Sequence, residues 1–184
     1  MHQGTNYRYA AWQPIQTDLQ SIGTKAPYYG SITVASFLGD LTKHNVTVAE
    51  IPMTSIYNAA YAAYVDGALA RVAIIQFNQF NATTQTYTTP SGSTASGPRP
   101  TQTVTFQLPQ TYTKKSISVQ RLMANGSDAI TGITFGGHSY NYELNHGLPV
   151  VQRNVTHIET LAVESNGMVV LEMPYSSAAI LSLM

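Results

Sequence analysis

A mainly β fold, an antiparallel β-sandwich of about seven or eight strands preceded by a loop and one helix, follows from three observations in the sequence. Two hairpin signatures, Asp66-Gly67 and Asn166-Gly167, each stand between runs of apolar and β-branched residues. Further alternating stretches lie between them, punctuated by Gly, Pro and Asn. The composition agrees: charged residues make up only 10% of the 184, well below the roughly 25% of an average soluble domain, while Thr, Ser, Asn, Gln and Tyr abound.

The elements follow in order. From Met1 to about Leu41 loop and helix mix, and Pro27 opens a helical stretch. Tyr28, Ile32, Ala35 and Phe37/Leu38 share one face of it, and Gly39 can end it. From Asn45 onward the text changes to strands. Ile56 to Val65 and Ala68 to Phe77 flank Asp66-Gly67, the signature of a type I′ turn with both central residues at positive φ. Aligning Val65 with Ala68 sets Tyr61 against Val72 and Ala59 against Ile74 on one face. On the other face Tyr64 meets Leu69 and Ala60 meets Ala73; both faces are apolar, which places this hairpin inside a sheet. Residues 81–101 are polar and of low complexity, with too little apolar area to order themselves, and are expected to form a mobile loop. Val104 to Leu108 and Ser116 to Met123 alternate well. Ile158 to Ser165 and Met168 to Met173 are expected to pair across Asn166-Gly167, with Val163 opposite Val170 and Ala162 opposite Leu171, and Ala178 to Leu183 closes the fold.

Nine Lys+Arg balance nine Asp+Glu, with no basic run longer than Lys114-Lys115, so neither nucleic acid nor an anionic membrane is an expected partner. No apolar run reaches transmembrane length. Cysteine is absent, which excludes a disulfide framework and thiolate metal sites. Asn45, Asn81, Asn125 and Asn154 head N-glycosylation triplets, where about two would arise by chance, a mild excess that favours secretion. The N-terminus carries no signal-peptide core, so an export signal is expected upstream of this chain.

Glycoside cleavage needs two facing carboxyl groups, and the acids here are scattered without pairing. The five histidines show no metal-ligand spacing, and no metal site is expected. Gly136-Gly137-His138-Ser139 is neither a nucleophile elbow nor a phosphate loop; it reads as a turn entering a strand. Twelve tyrosines can stack on sugars, but strands also take tyrosine for packing alone.

The ordered set HQGTNYRYAAWQP, APYYGSITVASFLGD, VAEI, AAYVDGALARVAIIQFN, ISVQRLMANGSDA and ITFGG resembles the C-terminal region of glycoside hydrolase family 79, which holds β-glucuronidases and heparanase-like enzymes. In that family a (β/α)8 barrel with an acid/base Glu and a nucleophile Glu leads into a β-sandwich that also takes a strand or more from upstream. The resemblance implies that residues 1–41 are the last barrel strand, its loop and the final barrel helix, and that 42–184 form the sandwich. Both catalytic glutamates would lie upstream, so the chain alone is expected to supply no catalytic residue and to need no cofactor. The expected partners are the upstream barrel and a glucuronide-containing glycan. The resemblance further implies that Asn6, Tyr7 and Arg8 match a loop that reads the uronate carboxylate, for which an amide, a phenol and a guanidinium are suited donors. A freestanding carbohydrate-binding module and a structural cell-surface sandwich are the alternatives.

Overall fold

A computed structural model of the chain describes residues 10–18, 21–113 and 115–183. Two short strands, β1 (Trp12–Gln13) and β2 (Gly23–Thr24), pair with each other and lead into helix α1 (Ala26–Leu38). Then come β3 (Val46–Ile51), β4 (Asn58–Val65), β5 (Ala68–Gln76), β6 (Phe80–Asn81), β7 (Thr86–Thr88), β8 (Thr94–Ser96), β9 (Thr101–Gln107) and β10 (Ser116–Met123). The chain continues through β11 (Thr134–Phe135), β12 (His138–Ser139), the one-turn helix α2 (Tyr142–Asn145) and β13 (Val150–Val151). It ends in β14 (Glu159–Ala162), β15 (Met168–Pro174) and β16 (Ser177–Leu183). Eight of these strands have four residues or more, which matches the expected number.

The main sheet is antiparallel, in the order β13-β12-β11-β10-β16-β5-β4-β3. One edge of β10 is shared, its first half with β14 and its end with β11. Alternation along the strands gives this sheet two apolar faces. On one face Val72, Ile74, Ile117, Val119, Ala179 and Leu181 meet Val104 of β9 and Val169, Leu171 and Met173 of β15, a two-stranded second layer. On the other face Ala63, Phe135 and Ile180 receive Tyr29 and Phe37 of α1. The β-sandwich is therefore present, with a helix on its outer face.

Helix α1 starts at Ala26, one residue earlier than expected, with Pro27 in its first turn where no intrahelical N–H is needed. Its buried stripe runs through Tyr29 and Phe37 rather than Tyr28 and Ala35; Ala35 is exposed. Gly39 ends it at φ 72°, and its N–H bonds Ala35 O at 2.8 Å. The last carbonyls, Phe37 O and Leu38 O, are capped by Arg71 of β5 at 2.6 and 2.8 Å. A Cβ on Gly39 would lie 2.7 Å from that guanidinium, so the cap needs glycine twice over.

Three local expectations are corrected. The β4–β5 hairpin turns at Asp66 (φ 50°) and Gly67 (φ 85°) and pairs Tyr64 with Leu69 as expected. A bulge between Ala63 and Tyr64 then shifts the register, so Tyr61 faces Ala73, Ala62 faces Val72 and Ala60 faces Ile74. Strands β14 and β15 do not pair: β14 joins β10 in the main sheet and β15 joins β9 in the second layer. Residues 81–101 are ordered, because polar bonds to distant parts of the chain do what apolar burial cannot. Arg99 donates to Tyr175 O and Ala124 O, both at 2.7 Å, and to Ser176 O at 2.9 Å. Asp128 accepts from Ala82 N and Thr83 N, and β6, β7 and β8 close into a small sheet.

Candidate functional site

The described residues that follow the expected recognition loop in sequence enter a corner where β1, β2, the start of α1 and the β12–α2 segment meet. Backbone pairing sets Trp12 beside Thr24 and Gln13 beside Gly23, and Lys25 N donates to Ala11 O at 3.0 Å. Gly23, at φ 122°, packs on Tyr142; a Cβ there would come within 2.5 Å of the tyrosine Cβ. Strand β1 is thus held by its return strand β2, which in turn packs on α2.

Tyr29 is the hub of this corner, 1% exposed. Its hydroxyl donates to Asn141 Oδ1 at 2.9 Å, accepts from Tyr140 N at 2.8 Å and lies 3.2 Å from Ser139 Oγ. Burial raises its pKa, so the phenol keeps its proton and works as a latch between helix and sheet. The rings of Tyr28, Tyr29 and Tyr140 meet edge to face with centroids 5.9 to 6.3 Å apart. Lys25, 8% exposed, bonds Ser21 Oγ at 3.2 Å; burial lowers its pKa and the charge of Glu143 partly restores it. Trp12, paired with Thr24, is half exposed.

The acids are spread over the fold and engaged singly. Glu159 holds Arg121 at 2.6 Å, Glu172 accepts from Thr103, Asp40 meets Lys43 and Thr42, and Asp66 meets His44 at 2.7 Å. Asp128 is pulled down to about 2, first by the Thr83 hydroxyl and then by the Ala82 N–H. Among the described residues no group of three or more His, Asp or Glu side chains is placed to hold a metal.

Asn6, Tyr7 and Arg8, the expected carboxylate-reading residues, lie outside the described residues. Asn45, Asn125 and Asn154 are exposed, and Asn81 is half-buried with its Oδ1 accepting from Thr84 N at 3.0 Å. Sequence reasoning passed over Tyr29, Lys25, Arg71, Arg99 and Asp128. For Tyr29 and Lys25 the one signal was their place in and before the helical stretch; for the others the partners are too distant in sequence to be read.

The model of the glycosyl hydrolase family 79 C-terminal β domain matches residues 60–180. A β-glucuronidase of Aspergillus niger is 51% identical over the whole chain, which covers 33% of that relative. A β-glucuronidase of Neurospora crassa is 46% identical over 85% of the chain and 31% of the relative. The chain thus spans about a third of the length of the curated relatives it matches. A crystal structure of a 4-O-α-L-rhamnosyl-β-D-glucuronidase from Fusarium oxysporum 12S, in complex with Rha-GlcA, superposes with a TM-score of 0.70 at 21% identity, over 95% of this chain and 32% of that one. At that identity the likeness speaks for the fold alone.

Proposed function

The chain belongs to glycosyl hydrolase family 79 as its C-terminal β domain, and from that premise we propose that it supports the (β/α)8 catalytic domain of a secreted β-glucuronidase-like enzyme. The observation that carries the proposal is the identity of 51%, running from end to end of the chain, with a third of a protein named β-glucuronidase. Physical features of the domain support it. Helix α1 buries Tyr29 and Phe37 in the sheet, while Val34 and nearby Leu41 stay exposed and apolar, a surface suited to an upstream domain. In this reading residues 1–41 complete the barrel, both catalytic carboxyl groups stand upstream, and the chain alone turns over no glycoside.

The chain's own contribution to the substrate is the loop Asn6-Tyr7-Arg8, which ends five residues before Gln13. Asn6 offers an amide, Tyr7 a phenol, and Arg8 a guanidinium able to make a charge-assisted, bidentate contact with a uronate carboxylate. The platform of Gln13, Gly23, Lys25 and Tyr29 supports this role by fixing the chain beyond the loop.

The test is made in the enzyme that carries this domain behind its barrel. Arg8→Ala and Tyr7→Phe are compared on an aryl glucuronide and the matching glucoside. Loss of a hydrogen bond to the carboxylate is expected to cost about 1.5–3 kcal/mol in kcat/KM on the glucuronide alone. Equal losses on both substrates, or none on either, would place carboxylate recognition in another part of the enzyme.

A further inference from the structure

The four N-glycosylation triplets differ sharply in how the fold holds them. Glycan transfer forms a bond from asparagine Nδ2 to C1 of the first sugar. It breaks the bond from that carbon to the lipid pyrophosphate carrying the oligosaccharide, and the displaced amide proton is released as the pyrophosphate leaves. The transferase recognises the Ser or Thr hydroxyl of an extended triplet, so amide, hydroxyl and backbone must all be free to adapt.

Two of the triplets are clasped to each other. Ser127, the hydroxyl residue of the Asn125 triplet, donates both its N–H and its Oγ–H to Phe80 O, at 2.7 and 3.0 Å. Phe80 immediately precedes Asn81. A Cβ on Gly126, the middle residue, would lie 2.7 Å from Phe80 O and 2.8 Å from Ala82 N, so the backbones touch there. In the other direction Asp128 accepts from Ala82 N at 2.8 Å and from the N–H and Oγ1–H of Thr83, the hydroxyl residue of the Asn81 triplet. Asn81 itself is tied through Oδ1 to Thr84 N and sits in the β6–β7 ladder. Each clasped triplet therefore has its recognition hydroxyl committed to the other's segment.

Asn154 is the opposite case. It and Thr156 are exposed in the loop between β13 and β14, and among the described residues no hydrogen bond reaches either side chain. The triplet's own backbone makes one such bond, from Val155 N to Gln152 O at 3.2 Å, just beyond the bond from Gln152 N to Gly137 O at 2.9 Å. Asn45 is intermediate: its side chain and Thr47 are exposed, but Thr47 pairs with Tyr64 in the edge strand β3.

We infer that Asn154 is the N-glycan acceptor that the folded domain keeps open, and that Asn81 and Asn125 form a clasped pair modified only before their segments meet. This does not rest on the role of residues 6–8 or on the substrate of the enzyme.

The experiment uses the folded enzyme that carries this domain, made without glycans, with a eukaryotic-type oligosaccharyltransferase and a lipid-linked oligosaccharide. Occupancy at each asparagine is followed by peptide mass spectrometry, and four short peptides give the intrinsic rate of each triplet. Asn154 is expected to react at close to its peptide rate. Asn81 and Asn125 should fall about tenfold or more below theirs, since reaction has to wait for local opening. Asp128→Ala frees Thr83 and should raise the Asn81 rate severalfold while leaving Asn154 unchanged. The comparison with peptides decides the matter even if that variant does not fold. Modification of Asn81 or Asn125 at the peptide rate in the folded enzyme, or equal protection of Asn154, overturns the inference.

Discussion

The turn at Asp66-Gly67 and the turn ending at Gly167 each reverse the chain, yet the first keeps its strands side by side and the second sends them to opposite layers. Their geometry differs in one residue. At the first turn Asp66 and Gly67 are both left-handed, the two-residue form whose twist suits flanking strands. At the second only Gly167 (φ 84°) is left-handed; Gly167 N bonds Glu164 O at 2.8 Å and Glu164 N bonds Met168 O at 3.0 Å, a three-residue loop. The larger difference lies in the strands themselves. Strand β4 buries side chains on both faces, and β5 buries Val72, Ile74 and Gln76 on one face with Ala73 and Ile75 half-buried on the other, so both fit inside a sheet. In β15 Val169, Leu171 and Met173 are buried while Val170 and Glu172 are exposed, the pattern of a layer with one wet face. The lesson is that a turn reverses the chain, while the burial pattern of the strands chooses their partners.

The largest test of that comparison is at the core of the second layer. Leu171 is 1% exposed and meets the main sheet, so Leu171→Ala is expected to cost about 2–5 kcal/mol in denaturant unfolding. Leu69, the partly buried residue beside the first turn, should cost clearly less on the same change. If Leu171→Ala were the milder of the two, β15 would not be the strand that ties the layers together.

The two turn glycines give a smaller contrast. Gly67 has open space where a Cβ would stand, so Gly67→Ala carries only the backbone penalty, about 1–2 kcal/mol. At Gly167 the same Cβ would lie 2.5 Å from Gln107 Nε2 and 2.7 Å from Leu108 O, the backbone of the neighbouring segment. Gly167→Ala should therefore cost more than Gly67→Ala. Equal urea midpoints for the two variants would show that the second turn can yield without disturbing β9.

Much of this architecture was legible because it is local. Alternation located β10 and most of β4, β5, β9 and β16, and the Asp-Gly pair identified the first turn. The illegible parts depend on partners far away in sequence. Arg71 caps carbonyls 33 and 34 residues earlier, and Arg99 binds carbonyls 76 and 77 residues later, so no window along the chain contains both ends. That is why 81–101 read as mobile: its apolar content is low, and its order comes from Arg99 and Asp128. Ile32, Phe37 and Leu38 fall on the expected helix face, but Tyr29 takes the place expected for Tyr28, since its packing is fixed by Ser139 to Asn141. The corner around Tyr29 is illegible in the same way, since it joins the start of α1 to residues more than a hundred positions later.

The smallest contrast between the turns is electrostatic. At the second turn Asn166 Oδ1 accepts from Met168 N at 2.8 Å, a neutral bond that does not change with pH. At the first, Asp66 accepts from His44 Nδ1 at 2.7 Å and from Asn45 N at 3.0 Å, and these two bonds, His44 foremost, hold its pKa below the ordinary 3.8. A carboxyl whose folded pKa is depressed stabilises the fold above its unfolded pKa, and that contribution fades as pH falls through the folded value. Asp66→Asn keeps an oxygen for Asn45 N and a residue suited to the turn, and so converts the first turn into the neutral type of the second. The parent chain should therefore be the more stable of the two above about pH 4, with the gap closing as acid is added below it. Asp128, which also titrates near the bottom of that range, is common to both chains and cancels in the difference. The readout is the difference in urea midpoint between parent and variant from pH 6 to pH 2. A difference that stays constant over that range would mean that the His44–Asp66 contact contributes nothing to the turn, leaving backbone geometry as the whole distinction between the two reversals.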